Sequence, residues 1–275
     1  MSKYKLVCSD LDGTLLRRDM TVSEENKKAI REMAERGVAF VASSGRAHTG
    51  LAEDVVKCDD IRYLISSNGA VIYDKVQKKN IVTTYMPSDV AEQMFRVVEK
   101  YDAEVFVHCN GIMHVSDTLV ATKNYDYYNI NSYYSGFIEE TGTRVASTPE
   151  FAMKTGNLEM ITVFFHSQAE LNECVERILA IGEYKVVSSC AFNIEIFYRK
   201  SGKGASLRAL AEHLGIDISE TISVGDSTND GPMIEAAGLG LATENAFPEL
   251  KAIANEVICH YNDHVAKYIL EHYIM

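Results

Sequence analysis

The sequence predicts an α/β fold: a doubly wound parallel sheet carrying an inserted α+β domain. Three observations point there. The run at 4–8 (YKLVC) is almost continuously apolar, as expected of a strand covered on both faces of a parallel sheet. Strand-like and helix-like stretches then alternate with short loops to about residue 69. The alternation breaks off near residue 86 and resumes near residue 202, so the sheet is interrupted and then completed.

The elements follow in order. Residues 23–36 read as a helix with Ser23 as N-cap, Ala29, Ile30, Met33 and Ala34 on one face, and Gly37 as its stop. Strands at 38–42 and 63–65 flank a helix around 49–56. Strands at 71–73 and 81–85 enclose a polar turn and read as a hairpin. An amphipathic helix at 88–101 precedes strands at 104–109 and 112–115, paired around Asn110-Gly111, a favoured hairpin turn. Residues 124–136 are rich in Tyr and Asn and only weakly periodic. Strands at 157–166, 184–188 and 193–198, with a helix at 168–181, complete the α+β stretch. The first rhythm returns as a helix at 203–214 stopped by Gly215, then a strand at 221–224 and a helix at 232–237. A strand at 239–242, a short helix from Pro248, a strand at 257–259 and a last helix near 264–273 follow. A Rossmann-like core of residues 1–85 plus 200–275 is thus expected, split by an inserted domain at 86–199.

Composition narrows the function. The 275 residues are 47% hydrophobic and carry a net charge of −12. Such a chain buries enough apolar surface to fold, and its acidity argues against nucleic acid as a partner. The opening MSKYKLVCSD lacks a secretory pattern, and no apolar stretch is long enough to span a membrane. The six cysteines show neither C-x-x-C nor zinc-finger spacing, so reduced, mostly buried thiols of a cytoplasmic protein are expected.

The chemistry-bearing residues gather at strand ends. Asp10-Leu11-Asp12-Gly13-Thr14 directly follows the first strand, where doubly wound sheets place their reactive groups. Two carboxylates at this spacing can divide the work, one attacking phosphorus and the other transferring protons to and from the oxygens, although an ordinary Asp-Gly turn would look the same. Ser44-Gly45-Arg46 follows the second strand and offers a hydroxyl and backbone amides to a phosphate. Asn68-Gly69 follows the third. Lys203 opens the helix after the insertion and supplies a positive charge. Gly225-Asp226-Ser227-Thr228-Asn229-Asp230 follows a later strand and offers oxygen ligands suited to Mg²⁺.

In this combination and order the motifs resemble the haloacid dehalogenase (HAD) superfamily, in its Cof-type branch with a type-IIB cap. The resemblance spans the whole chain. It implies that Asp10 is nucleophile and Mg²⁺ ligand, and that Asp12 is the general acid/base and lends its carbonyl to the metal. It implies that Ser44, Gly45 and Lys203 bind the transferred phosphoryl group, and that Asp226 binds Mg²⁺. Asn229 contacts phosphate or substrate, Arg46 and Asn68 lie near the substrate, and Asp230 is a direct or an outer metal residue. The family's usual T-G-R is S-G-R here, which keeps the hydroxyl. Transport ATPases of the superfamily carry Thr at the place of Asp12. Asp12 therefore points to hydrolysis of a small phosphorylated metabolite, such as a sugar phosphate, or else to a phosphomutase. A non-catalytic binding protein on the same fold is the third reading. The formal charges of Asp10, Asp12, Asp226 and Asp230 balance those of Mg²⁺, Lys203 and Arg46, so an anionic substrate suits an acidic chain.

Weaker signals read as structure. His108 and His114 are expected as strand-surface residues. Tyr125, Tyr127, Tyr128, Tyr133 and Tyr134 could stack on a substrate ring but read equally as packing or a dimer contact. Lys75, Lys78 and Lys79 read as a solvated hairpin tip. Glu244-Asn245-Ala246 could shape the site and is assigned no chemistry.

Overall fold

A computed structural model describes residues 2–275, and these divide into two compact units. One comprises residues 2–46, 51–83 and 202–275; the other comprises residues 47–50 and 84–201. The first begins with β1 (Leu6–Asp10), α1 (Glu24–Glu35), β2 (Ala39–Ser43), α2 (Glu53–Lys57), β3 (Ile61–Ser66), β4 (Val71–Asp74) and β5 (Lys79–Thr83). The inserted unit runs through α3 (Ser88–Val98), β6 (Ala103–Cys109), β7 (Ile112–Ser116), α4 (Asp117–Thr122), α5 (Ser132–Thr141) and β8 (Thr143–Val145). It continues with α6 (Thr148–Thr155), β9 (Leu158–Phe165), α7 (Gln168–Ile181), β10 (Tyr184–Val187) and β11 (Asn193–Tyr198). The first unit closes with α8 (Lys203–Leu214), β12 (Thr221–Gly225), α9 (Gly231–Ala236), β13 (Leu239–Ala242), α10 (Pro248–Ile253), β14 (Glu256–Val257) and α11 (Val265–Ile269). Among the described residues no helix is long and apolar enough to cross a membrane.

The first unit is an eight-stranded sheet in the order β14-β13-β12-β1-β2-β3-β4-β5. Its strands are parallel from β14 to β3, and β4 and β5 turn back antiparallel. Both faces are covered, as the apolar runs require. Val7, Phe40, Leu64 and Ile222 join Ile30 and Met33 of α1 and Ile269 of α11 in one core. Leu6, Cys8, Val41, Tyr63 and Ile65 face the other way, onto Leu207 and Leu210 of α8 and Met233 of α9. Each fully buried aliphatic of this kind contributes about 1.5–3 kcal/mol. Ser23 caps α1 by accepting from the Asn26 amide at 3.2 Å, as its position before the apolar face predicts. The strand order reverses at β1 and β12, so the crevice of a doubly wound sheet opens beyond Asp10 and Gly225.

The inserted unit has a six-stranded sheet in the order β10-β11-β9-β6-β7-β8. Val107, Ile161, Val163 and Ile196 pack under α3, α6 and α7. Phe106, Val115 and Phe164 pack with Leu119, Tyr125 and Ile138 on the opposite face. Residues 47–50 join this unit, outside the 86–199 span that the sequence suggests. The Thr49 amide and hydroxyl both donate to the Gly111 carbonyl, at 2.9 and 3.2 Å. Gly50 lies so close to the Phe137 ring that a Cβ would stand 2.6 Å from it.

Several expectations need correction. The helix at 49–56 is a single tight turn at His48–Gly50 and then α2. The weakly periodic 124–136 contains a short turn at Asp126–Tyr128 and the start of α5. Only Ile138 of α5 is fully buried, which explains the missing periodicity. α4, α6 and β8 carried no clear signal because they are short. His108 and His114 are buried rather than on the surface. Burial pushes His108 down to about 3, with nearby His114 adding to the effect, so His108 stays neutral; the His114 ring lies 4.1 Å from that of Phe151, tilted by 31°. Lys75 is not solvated: its Nζ donates to the Val56 and Cys58 carbonyls at 2.8 and 2.6 Å and ties off the end of α2. Tyr125 is core, whereas Tyr127 and Tyr133 are exposed. All six cysteines are free, three buried and three half-buried.

Candidate active site

β1 delivers Asp10 to the crevice, and the chain then turns through Gly13, whose φ of +78° favours glycine. Glycine is also demanded sterically, because a Cβ there would come within 2.4 Å of Asp226 Oδ2. β12 delivers Asp226 beside it, and Gly225 is constrained in the same way by Asp230 Oδ2 at 2.4 Å. Two glycines thus let three carboxylates converge: one oxygen from each of Asp10, Asp226 and Asp230 lies within 4.8 Å of the others.

Lys203, at the start of α8, reaches into this group. Its Nζ donates to Asp10 Oδ1 and to Asp230 Oδ1, both at 2.6 Å, and the ammonium is fully buried. Burial pushes its pKa down, but the charges of Asp10 and Asp230 outweigh burial and raise it above the ordinary lysine value. The carboxylates are less satisfied. Burial first, and then repulsion from Asp230, holds Asp10 well above the usual carboxylate range, with Lys203 opposing. The same two causes push Asp226 up to about 7. Asp230 is spoken for: its Oδ2 accepts the backbone amides of Asp226 and Ser227, both at 3.0 Å, and its Oδ1 accepts Lys203. It organises the turn that presents Asp226. Asp10 Oδ2, by contrast, is buried without a hydrogen-bond partner.

That orphaned oxygen, an excess of buried carboxylates over cations and an all-oxygen donor set fit a hard divalent cation. The aspartate cluster can therefore hold a metal ion.

The other motif residues surround this centre. The Ser44 carbonyl accepts the Asn68 amide at 3.1 Å. Asn68 has a left-handed backbone, with φ 50°, and its Oδ1 accepts from Asn229 Nδ2 at 3.1 Å. The predicted residues of three separate loops are thus linked, and Gly45 follows Ser44 half-buried. Arg46 is held against Asp12 by two bonds, Nη2 to Oδ1 at 2.6 Å and Nε to Oδ2 at 2.9 Å.

One residue that the sequence placed near the site without a chemical role has a definite one in holding its turn. Asn245 Nδ2 donates to the Gly13 carbonyl at 2.8 Å, while its Oδ1 accepts the Tyr261 amide at 3.1 Å. It ties the Asp12-Gly13 turn to the loop after β13. Its place beyond the end of a parallel strand was the available signal.

The haloacid dehalogenase-like hydrolase family pattern matches residues 7–269. The chain belongs to the haloacid dehalogenase-like hydrolase family. It is 29% identical over 297 residues to the phosphatase YwpJ of Bacillus subtilis, covering 98% of this chain and 99% of that protein. It is also 29% identical over 274 residues to the 5-amino-6-(5-phospho-D-ribitylamino)uracil phosphatase YcsE of the same organism, covering 98% and 96%. A solved haloacid dehalogenase-like hydrolase from B. subtilis superposes with a TM-score of 0.81 at 28% identity, covering 98% of this chain and 99% of that one. The Cof-type resemblance read from the motifs agrees with these relatives, and the doubly wound α/β fold is that of the family.

Proposed function

We propose that this hydrolase is a Mg²⁺-dependent phosphatase that cleaves a small phosphorylated metabolite through an aspartyl phosphate on Asp10. One observation carries the reading: Asp10 is buried with one oxygen bonded to Lys203 and the other unpartnered, amid two further carboxylates. The relatives' names as phosphatases support it. A phosphate monoester, such as a sugar phosphate or a phosphorylated polyol, is the proposed substrate class. The acidic chain speaks against nucleic acid as partner.

Asp10, Asp226 and the Asp12 carbonyl would hold Mg²⁺, with Asp230 orienting Asp226. Bound there, the ion neutralises carboxylate charge and lets an anionic phosphate approach. The chain's own groups do the rest. Lys203 holds Asp10 in one orientation and adds positive charge beside the incoming phosphoryl group. Ser44 and the amide of Gly45 bind phosphoryl oxygens, and Asn68 and Asn229 hold the loops that carry them. Asp10 attacks phosphorus while Asp12 gives a proton to the leaving oxygen; Asp12 then takes a proton from the water that releases phosphate.

The test is turnover of an aryl phosphate with Mg²⁺ by the wild type and by Asp10→Asn. Loss of nucleophilic attack is expected to lower kcat by roughly 10⁴-fold or more, and chelation is expected to abolish turnover. Equal rates for the two proteins would overturn the assignment of Asp10.

A further inference from the structure

We propose that Arg46 is a positioning residue that acts through Asp12, setting the angle of the proton-transferring carboxylate, rather than a contact to the transferred phosphate. The inference rests on the phosphatase reading above. The Asp12 side chain is 45% exposed, whereas that of Arg46 is 12% exposed. An aspartate that open to water has several rotamers within reach. Two parallel bonds from one guanidinium edge select a single carboxylate plane.

Arg46 is itself anchored. Its amide donates to Ser44 Oγ at 3.1 Å, and its carbonyl accepts the Ser67 amide at 2.8 Å. Its Nη2 lies 3.6 Å from Met20 Sδ. Ser44 and Ser67 are buried beyond the ends of β2 and β3. Order is therefore passed outward, from the rigid ends of the sheet to the guanidinium and from the guanidinium to Asp12.

The chemistry needs that order. In the first half-reaction a bond forms between an Asp10 oxygen and phosphorus, the bond from phosphorus to the leaving oxygen breaks, and that oxygen takes the Asp12 proton. In the second half-reaction water bonds to phosphorus, the bond from phosphorus to Asp10 breaks, and the water proton goes to Asp12. Protonation of either Asp12 oxygen leaves the other bonded to the guanidinium, so Asp12 stays aimed throughout. A proton donor of this kind contributes about 10²–10⁴-fold, and poor aim forfeits part of it.

The leaving group separates the two roles. An alkoxide needs the proton as its bond breaks, whereas a nitrophenolate leaves with little help. A phosphate contact would serve both esters alike. We would measure kcat/KM for an alkyl phosphate and for p-nitrophenyl phosphate in wild type, Arg46→Lys, Arg46→Gln and Asp12→Asn, together with inhibition by inorganic phosphate. Loss of aim is expected to cost Arg46→Gln about 10–100-fold on the alkyl ester. On the aryl ester it is expected to cost under about threefold, with phosphate inhibition unchanged. Arg46→Lys keeps the charge without the two-bond geometry and should show the same selectivity; it also serves if the glutamine variant misfolds. In the Asp12→Asn background the leaving-group-dependent part of the Arg46→Gln loss should vanish, as coupled residues require. Equal losses on both esters, with weaker phosphate inhibition, would overturn the inference and leave the phosphatase reading standing. Absence of turnover by the wild type on either ester would overturn both.

Discussion

Lys203 of the sheet unit and His108 of the inserted unit are both buried bases, and they meet opposite fates. In the sheet unit one buried charge is kept by pairing: Lys203 lies between Asp10 and Asp230, even though burial pushes Asp10 and Asp226 up. In the inserted unit two groups shed charge: burial drives His108 down to about 3 and half-buried Glu104 up to about 7. The first arrangement is costly for stability and useful for chemistry. The second is what packing does to a titratable group when burial outweighs its polar contacts. Buried charge maintained against this cost marks the site more sharply than buried polarity does.

The largest test of that contrast is Lys203→Met. Removing the ammonium strands two buried carboxylates, and a loss of about 3–5 kcal/mol is expected in urea unfolding of chelator-treated protein. A loss below about 1 kcal/mol would erase the distinction between the units. Glu104→Gln probes the other side. The folded-state pKa of Glu104 lies above its ordinary 4.5, through burial and against a hydrogen bond with Ser116. Its contribution is therefore fully present below about pH 4.5 and lost as pH rises through about 7. The variant, which keeps a neutral polar group, should gain on wild type by about 1–3 kcal/mol between pH 5 and pH 8. A difference that does not change with pH would show that Glu104 is not desolvated. Asn245→Ala removes two bonds of the site's turn, and about 1–3 kcal/mol is expected from unfolding curves; no loss would mean that the turn holds itself. Smallest is Tyr133→Ala, at 52% exposure in the inserted unit. Its effect should stay within about 0.5 kcal/mol, and a larger one would place this tyrosine in the unit's core.

The same contrast explains what could be read in advance. The convergence of Asp10, Asp226 and Asp230 was legible because these residues follow strands of a parallel sheet, whose ends meet in one crevice. The strands that carry them were legible because double burial leaves nearly continuous apolar runs, as at residues 4–8. The place of Asn245 near the site was legible from its strand end, but its bond to Gly13 was not, since a single side chain bonded to a backbone carbonyl leaves no pattern. α5 was not, since one buried residue sets no period. Nor was the docking of residues 47–50 onto Gly111, which rests on a backbone amide that every sequence possesses and on one short hydroxyl. The role of Lys75 was lost for a related reason: a lysine that ties off helix carbonyls looks the same in sequence as one in water.

The insertion also has a consequence for the order in which the molecule is made. Asp10 and Lys203 are 193 residues apart in the chain, and β1 pairs with β12, Leu6 opposite Thr221. At about 5–20 residues per second on the ribosome, β1 waits roughly 10–40 s for the lysine that pairs with its aspartate. The inserted sheet is formed from strands between Ala103 and Tyr198, all of which are synthesised before Lys203. Long-range pairing of this kind slows folding. The half-made sheet, with β1 at an open edge, is therefore the stage of biosynthesis at which this protein most needs protection from aggregation.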